Sequence, residues 1–234
     1  MDENSGHPPI RPRQLIRDQV FATIAEEIVS GRMRAYEEIR DQDLQAEYGV
    51  SRTPIREALN RLADLGLVEV RTNRFTRVAP VDLNSQADRA EAAAAMIGYC
   101  AMASVSEYSD AQIASLQRRI DAMLETDLAW AATREGLQHW YALWAEIVMN
   151  AGNRTMIDIL DGQLAPHLTR TVPGERVPEA FAVHMRTALE QLREAVARRD
   201  GRGMRDVIEP LFAHVTIAPL REAAAAAAAS GGQA

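Results

Sequence analysis

Arg52 and Arg56 stand four residues apart, with Thr53 beside the first and Asn60 one turn further on. On a helix, residues four apart share a face. Two guanidinium forks with small polar neighbours suit the edge of a base pair. Arginine can donate twice to guanine O6 and N7, and serine or threonine reaches phosphates or base edges. Ile55, Ala58, Leu59 and Leu62 follow the i, i+3, i+4, i+7 spacing of a buried stripe. Burying that stripe turns Arg52, Thr53, Arg56 and Asn60 outward. The N-terminus of such a helix also favours a phosphate. Helical period alone fits a solvated, charge-decorated face equally well.

The elements around this helix narrow the choice. Ser51 is a good N-cap residue, Pro54 falls in the first turn, and the helix should run to about Leu65. A short helix over Asp41 to Tyr48 precedes it, burying Leu44 and Tyr48, and Gly49 supplies the tight turn between them. Upstream, Ile16, Val20, Ile24 and Ile28 recur every fourth residue, with Phe21 and Val29 widening the stripe and Gly31 ending it. After Gly66 the period changes. Leu67, Val68 and Val70 suggest one strand, the stretch 74–79 with Val78 a second, and Thr72-Asn73-Arg74 the hairpin tip. Three helices and a β-hairpin form a winged helix-turn-helix, whose third helix is the one that enters the major groove.

Residues 1–13 read as a flexible tail, 14–80 as the winged domain and 81–84 as a linker. From there to 224 every pattern is helical, with helices expected near 85–108, 110–128, 132–150, 154–171, 178–199 and 203–224. Break signals at Ser109-Asp110, Gly152-Asn153, Pro173-Gly174 and Gly201 separate them. The expected fold is mainly α: the winged domain followed by an all-α antiparallel bundle of about six helices. Residues 225–234, Ala-rich and then Gly-rich, are expected to fray.

Composition limits the function classes. The 234 residues carry a net charge of −7, and all 26 basic residues are arginine. Residues 11–80 hold 12 Arg against 11 acidic residues, whereas 81–234 hold 14 against 20. The acidic excess therefore lies outside the winged segment, although a near-neutral winged segment is only weak support for DNA binding. The single cysteine, Cys100, allows no intrachain disulfide and reads as a small buried hydrophobe in a reducing cytoplasm. The polar, acidic N-terminus is not that of a signal peptide, and no stretch has the roughly 18–20 apolar residues of a membrane helix, so no membrane partner is expected. Nucleophile elbows, HExxH, CxxC and phosphate loops are all missing, and no spacing singles out Glu146 or Asp158 as catalytic.

The string GVSRTPIREALNRLADLGLVEV, from Gly49 to Val70, strongly resembles the core signature of the GntR family of transcriptional regulators. The resemblance covers about residues 15–80 and ends at Arg77-Val78-Ala79-Pro80. It implies that Ser51, Arg52, Thr53 and Arg56 make recognition-helix contacts, that Gln42 reaches the DNA backbone or a base, and that Asn73 and Arg74 form the wing tip in the minor groove. It departs from the family at two points. Arg34-Ala35 stands where Pro-Gly is usual before the second helix, and Asn73-Arg74-Phe75 where the wing tip usually carries glycine.

The helical remainder is similar to the FCD subgroup, the ligand-sensing bundle found in part of this family. The similarity rests on helix number, on Ala151-Gly152-Asn153-Arg154 and on Ala195-Val196 with Asp200. It implies a small organic acid as effector, held in many members by a metal on one Asp and three His. Trp140, Trp144, Leu189 and Leu211 occupy those four places here, and indole and isobutyl groups offer no lone pair to a cation. No metal cofactor is therefore expected. His139, His184 and His214 lie on the same helices but five, five and three residues away. Trp140 and Trp144, four apart with Tyr141 adjacent, either pack the core or line an aromatic cavity. For a cavity, Arg89, His139 and His214 are candidates to orient the ligand, an organic acid or aromatic metabolite, with Leu189 in the wall.

The resulting expectation is a cytoplasmic, homodimeric, non-enzymatic regulator. It would bind double-stranded DNA at a palindromic operator, act as a repressor and respond to a small metabolite. Two alternatives stand beside it. One is a DNA-binding regulator whose pocket has closed, and the other a helical enzyme or carrier with an N-terminal docking module.

Overall fold

The computed structural model of the protein describes residues 13–71, 74–126, 133–170 and 179–231. The chain divides after Pro80 into two units, each with its own core.

The first unit contains α1 (Arg13–Val29), α2 (Asp41–Tyr48), α3 (Arg52–Asp64), β1 (Val68–Arg71) and β2 (Phe75–Val78). Val20, Ile24 and Ile28 of α1 are buried, but Ile16 stays 40% exposed. The buried stripe thus starts one turn later than its periodicity suggests, because the first turn of α1 overhangs the core. Leu44 anchors α2, and Gly49 ends it at φ 65°, the left-handed geometry that glycine adopts freely. Ser51 occupies the N-cap position of α3 but makes no side-chain cap bond. Ile55, Ala58, Leu59 and Leu62 are all buried.

The strands pair antiparallel with Val68 opposite Val78 and Arg71 opposite Phe75. Val70, expected in the apolar pattern, is 45% exposed. The segment before α2 adds an edge that the sequence pattern did not show. Tyr36 N donates to Val78 O (2.9 Å) and Ile39 N to Thr76 O (2.7 Å), with a bridge between Glu38 and Arg77. At the turn lacking Pro-Gly, Tyr36 itself takes a left-handed conformation, φ 68°. Of the expected tip, Thr72 and Asn73 lie outside the described residues. Arg74 N donates to Arg71 O at 2.9 Å beside it.

The second unit is helical in all its described elements: α4 (Leu83–Ser104), α5 (Asp110–Glu125), α6 (Arg134–Asn150), α7 (Arg154–Ile159), α8 (Ala165–Leu168), α9 (Glu179–Ala197), α10 (Gly201–Phe212) and α11 (Ala218–Gly231). The expected linker 81–84 is shorter than predicted. Asp82 accepts from the amides of Asn84 and Ser85, so α4 already starts at Leu83. Side-chain caps at Ser109, Thr133, Asn153 and Asp200 start α5, α6, α7 and α10.

The helices expected at 154–171 and 203–224 are each interrupted by a π-turn, Leu160–Leu164 and Ala213–Ile217. The tail 225–234 is not frayed along its length. Helix α11 runs to Gly231, because alanine is the best helix former and Arg221 ties its start to Glu91 (2.7 Å) and Asp88 (3.6 Å) on α4. Helix α4 packs against α10, α11 and α6, and α9 lies against α5 and α10. Buried alanines, Ala87, Ala90, Ala93, Ala94 and Ala101, give α4 the thin face such close packing needs. Among the described residues no helix is long and apolar enough to cross a membrane.

Candidate nucleic-acid interface

Burial of the α3 stripe leaves Arg52, Thr53, Arg56 and Asn60 exposed on the opposite side. A cleft of about 500 Å³ opens between α2, α3 and the hairpin. Gln42, Arg52, Arg56, Asn60 and Arg74 all line it, so three separate elements bring five expected residues to one concave face. Thr53 and Ser51 are exposed at the start of the same helix. Asn73 lies outside the described residues.

The same cleft holds residues that sequence reasoning missed. Arg40 and Arg71 add two cations, one from the loop before α2 and one from the end of β1. Asp41 joins them at the first residue of α2. Arg52 Nε donates to Asp41 Oδ2 at 2.9 Å, and Arg56 Nε lies 3.8 Å from the same oxygen. The Asp41 side chain is 17% exposed, against 63% and 65% for the two arginines. One shielded carboxylate therefore gathers both arginines of the outward face of α3. Asp41 and Arg52 lie on different helices, on either side of the Gly49 turn, so no periodicity within one element announced the contact. Arg77, behind the wing, is held by Glu69 at 2.7 Å and lies over the rings of Phe75 and Tyr36.

Residues 16–78 match the family described as bacterial regulatory proteins, gntR family. That match spans the helices and hairpin of the winged unit. A stretch of 66 residues is 41% identical to a protein of Paenarthrobacter nicotinovorans named as a probable D-xylose utilization operon transcriptional repressor. That match covers 28% of this chain and 29% of the relative. A 67-residue stretch is 42% identical to the HTH-type transcriptional regulator Mce2R of Mycobacterium tuberculosis, covering 28% of each. The matched stretches thus span under a third of these relatives' length. Over both units, the fold is like that of E. coli McbR/YncC, with TM-score 0.66, 17% identity and coverage of 88% of this chain and 97% of that one. It is also like a putative GntR regulator of Rhodococcus sp. RHA1, with TM-score 0.61, 15% identity and coverage of 85% and 96%. The fold is therefore a GntR-type winged helix-turn-helix followed by a helical bundle.

In that bundle the expected effector residues divide: the apolar ones meet in the core, and the polar ones do not join them. Trp144, Leu189 and Leu211 are at most 3% exposed and belong to one apolar core, with Trp140 packed against it. Trp140, Trp144 and Phe212 form a ring trio, with centroids 4.9, 5.7 and 5.3 Å apart. The histidines expected to face a ligand are instead exposed. His139 Nδ1 donates to the Glu135 carbonyl at 2.9 Å, and His214 Nδ1 to the Pro210 carbonyl at 2.7 Å. The His214 ring also stacks on that of His184, 5.9 Å between centroids. A histidine five residues from an inward position is rotated about 500° around the helix and so lands on another face. Arg89, half-buried, donates to Ser85 Oγ at 2.7 Å, within its own helix.

Among the described residues no group of three His, Cys, Asp or Glu could hold a metal ion. Among the described residues of this unit the buried polar side chains are Gln86, His167 and Arg170, none foreseen. Gln86 Nε2 donates to the His167 carbonyl at 2.9 Å, and burial pulls the Arg170 pKa down. Among the described residues the buried Trp144 indole Nε1–H has no acceptor, an omission that costs about 1–3 kcal/mol.

Proposed function

We propose that the protein is a transcriptional regulator, not an enzyme, that binds a palindromic operator in double-stranded DNA as a homodimer. The cleft supports this reading best, because α3, the loop before α2 and the wing turn five arginines toward one concave face. Arg52 and Arg56 would read guanines in the major groove, while Arg40, Arg71 and Arg74 meet phosphates or the minor groove. Asp41 takes the Nε side of Arg52 and leaves its terminal amino groups for O6 and N7. A carboxylate so close to the DNA would repel phosphates if it were bare. Shared by two guanidinium groups, it aims them instead.

Repression is the proposed output, by analogy with the named repressor of Paenarthrobacter. The bundle is proposed to be of the FCD type, to bind a small molecule without a metal and to pass its state to the operator-binding domains in the cytoplasm. A closed pocket is the second reading, and the burial of Trp144 and Leu189 in the core favours it. Selection of bound duplexes from a random pool, followed by binding isotherms at several salt concentrations, tests the proposal. An enriched inverted repeat bound at least a thousandfold above random DNA is expected. Binding without sequence preference would refute it.

A further inference from the structure

Trp144 is 2% exposed, yet among the described residues its indole Nε1–H has no hydrogen-bond partner. A phenylalanine would fill most of that space without stranding a donor. A tryptophan in this place is better accounted for by something that accepts the hydrogen bond. Trp140 and Phe212 meet Trp144 at 82° and 60° and each other at 39°, so edges and faces alternate around the indole.

The backbone at this corner is also irregular. Pro210 sits inside α10 without an N–H, and the π-turn begins at Ala213, directly after Phe212. π-turns are rare and recur at functional sites, and a helix already departing from its ladder can move Phe212 with little loss of hydrogen bonding. Trp140 is only partly buried and so carries the cluster out toward solvent.

We propose that the Trp140–Trp144–Phe212 cluster is the seat of a small, uncharged, largely apolar molecule carrying one hydrogen-bond acceptor, such as a ketone, ester or amide. Its acceptor takes the Trp144 Nε1–H, and its apolar body displaces Phe212 from the ring faces. The surroundings select against an anion. The trio is bedded in the same core as Leu143, Leu189, Leu211 and Val215, and a carboxylate there would lose its water with a single indole donor in return. This inference rests on the proposal that the bundle senses a small molecule, and it names the chemical class.

The test uses the full chain with ¹⁵N-labelled tryptophan and three probes of one size: cyclohexanone, methylcyclohexane and cyclohexanecarboxylate. The Trp144 indole resonance is assigned by its loss in Trp144→Phe, or by elimination with Trp140→Phe and Trp130→Phe if that variant does not fold. Cyclohexanone should move this resonance downfield and saturate, methylcyclohexane should leave the N–H unshifted, and the carboxylate should bind at least tenfold more weakly than the ketone. No saturable shift with the ketone or with an ester or amide of that size overturns the proposal. So does carboxylate binding tighter than the ketone, or a long-lived water cross-peak on the N–H that none of these probes removes. Operator binding on the same samples separates the two claims. Sequence-specific binding with a silent indole sinks only the ligand proposal, whereas loss of sequence-specific binding in the wild type sinks the regulator reading.

Discussion

Within the cleft of the winged unit, Asp41 gathers Arg52 and Arg56, which both approach its Oδ2, while Glu38 pairs with Arg40 at 3.4 Å. Asp41→Asn should keep the fold and much of the nonspecific affinity while lowering discrimination between operator and random DNA about tenfold. The released arginines then meet phosphates without a fixed aim. Fluorescence anisotropy with both duplexes measures the ratio, and an unchanged ratio would show that the contact is incidental. Arg52→Ala or Arg56→Ala should cost about 1–3 kcal/mol in operator binding with an unchanged melting temperature. In the bundle, the apolar identity of Trp140, Trp144, Leu189 and Leu211 predicts less than a tenth of an equivalent of zinc, nickel or manganese in protein purified without affinity-tag metal. Stoichiometric metal lost on mutating His139, His184 or His214 would reverse that expectation.

Close approach decides the behaviour of the helices. A Cβ on Gly201 would meet Ala101 O and Met102 Cα and O at 2.8 Å, all backbone atoms of α4 that cannot step aside. A Cβ on Gly98 would meet Arg205 Cγ at 2.9 Å, part of a flexible side chain. Gly201→Ala should therefore destabilise the bundle by about 2–3 kcal/mol and Gly98→Ala by under about 1 kcal/mol. Urea unfolding of the two variants gives the comparison, and equal midpoints would contradict it. In the winged unit, Tyr36 holds a positive φ that costs an L-residue about 1–2 kcal/mol. Tyr36→Gly should recover part of that and lose the contact with Arg77, 5.0 Å from the ring. A midpoint change within about 1 kcal/mol of wild type is expected, and a larger loss would mean that the ring contact outweighs the backbone strain.

Two separate cores make the molecule a pair of folding units. The first buries Ile24, Ile28, Ile55, Leu62 and Leu67 among its own helices, so a fragment of residues 1–80 should fold alone with helical circular dichroism and a cooperative melt. A non-cooperative melt would show that it depends on the bundle. The full chain should sediment as a dimer at micromolar concentration, as a palindromic operator requires of a two-fold reader. A monomer with operator affinity intact would contradict the homodimer proposal.

The element order, the buried stripe of α3 and its outward arginines could be read from residue order, because helix periodicity and end signals are local and short-ranged. The bundle's helix starts were legible for the same reason, through Ser109 and Asn153. The pairing of Asp41 with Arg52 and the edge that residues 36–39 add to the hairpin were not. Each depends on how segments meet in space or on a helix's rotational register, and one residue of register is about 100° of direction. The π-turns at 160–164 and 213–217 escaped for a related reason. An extra residue in a helical turn leaves composition and period almost unchanged, yet it re-aims every side chain beyond it.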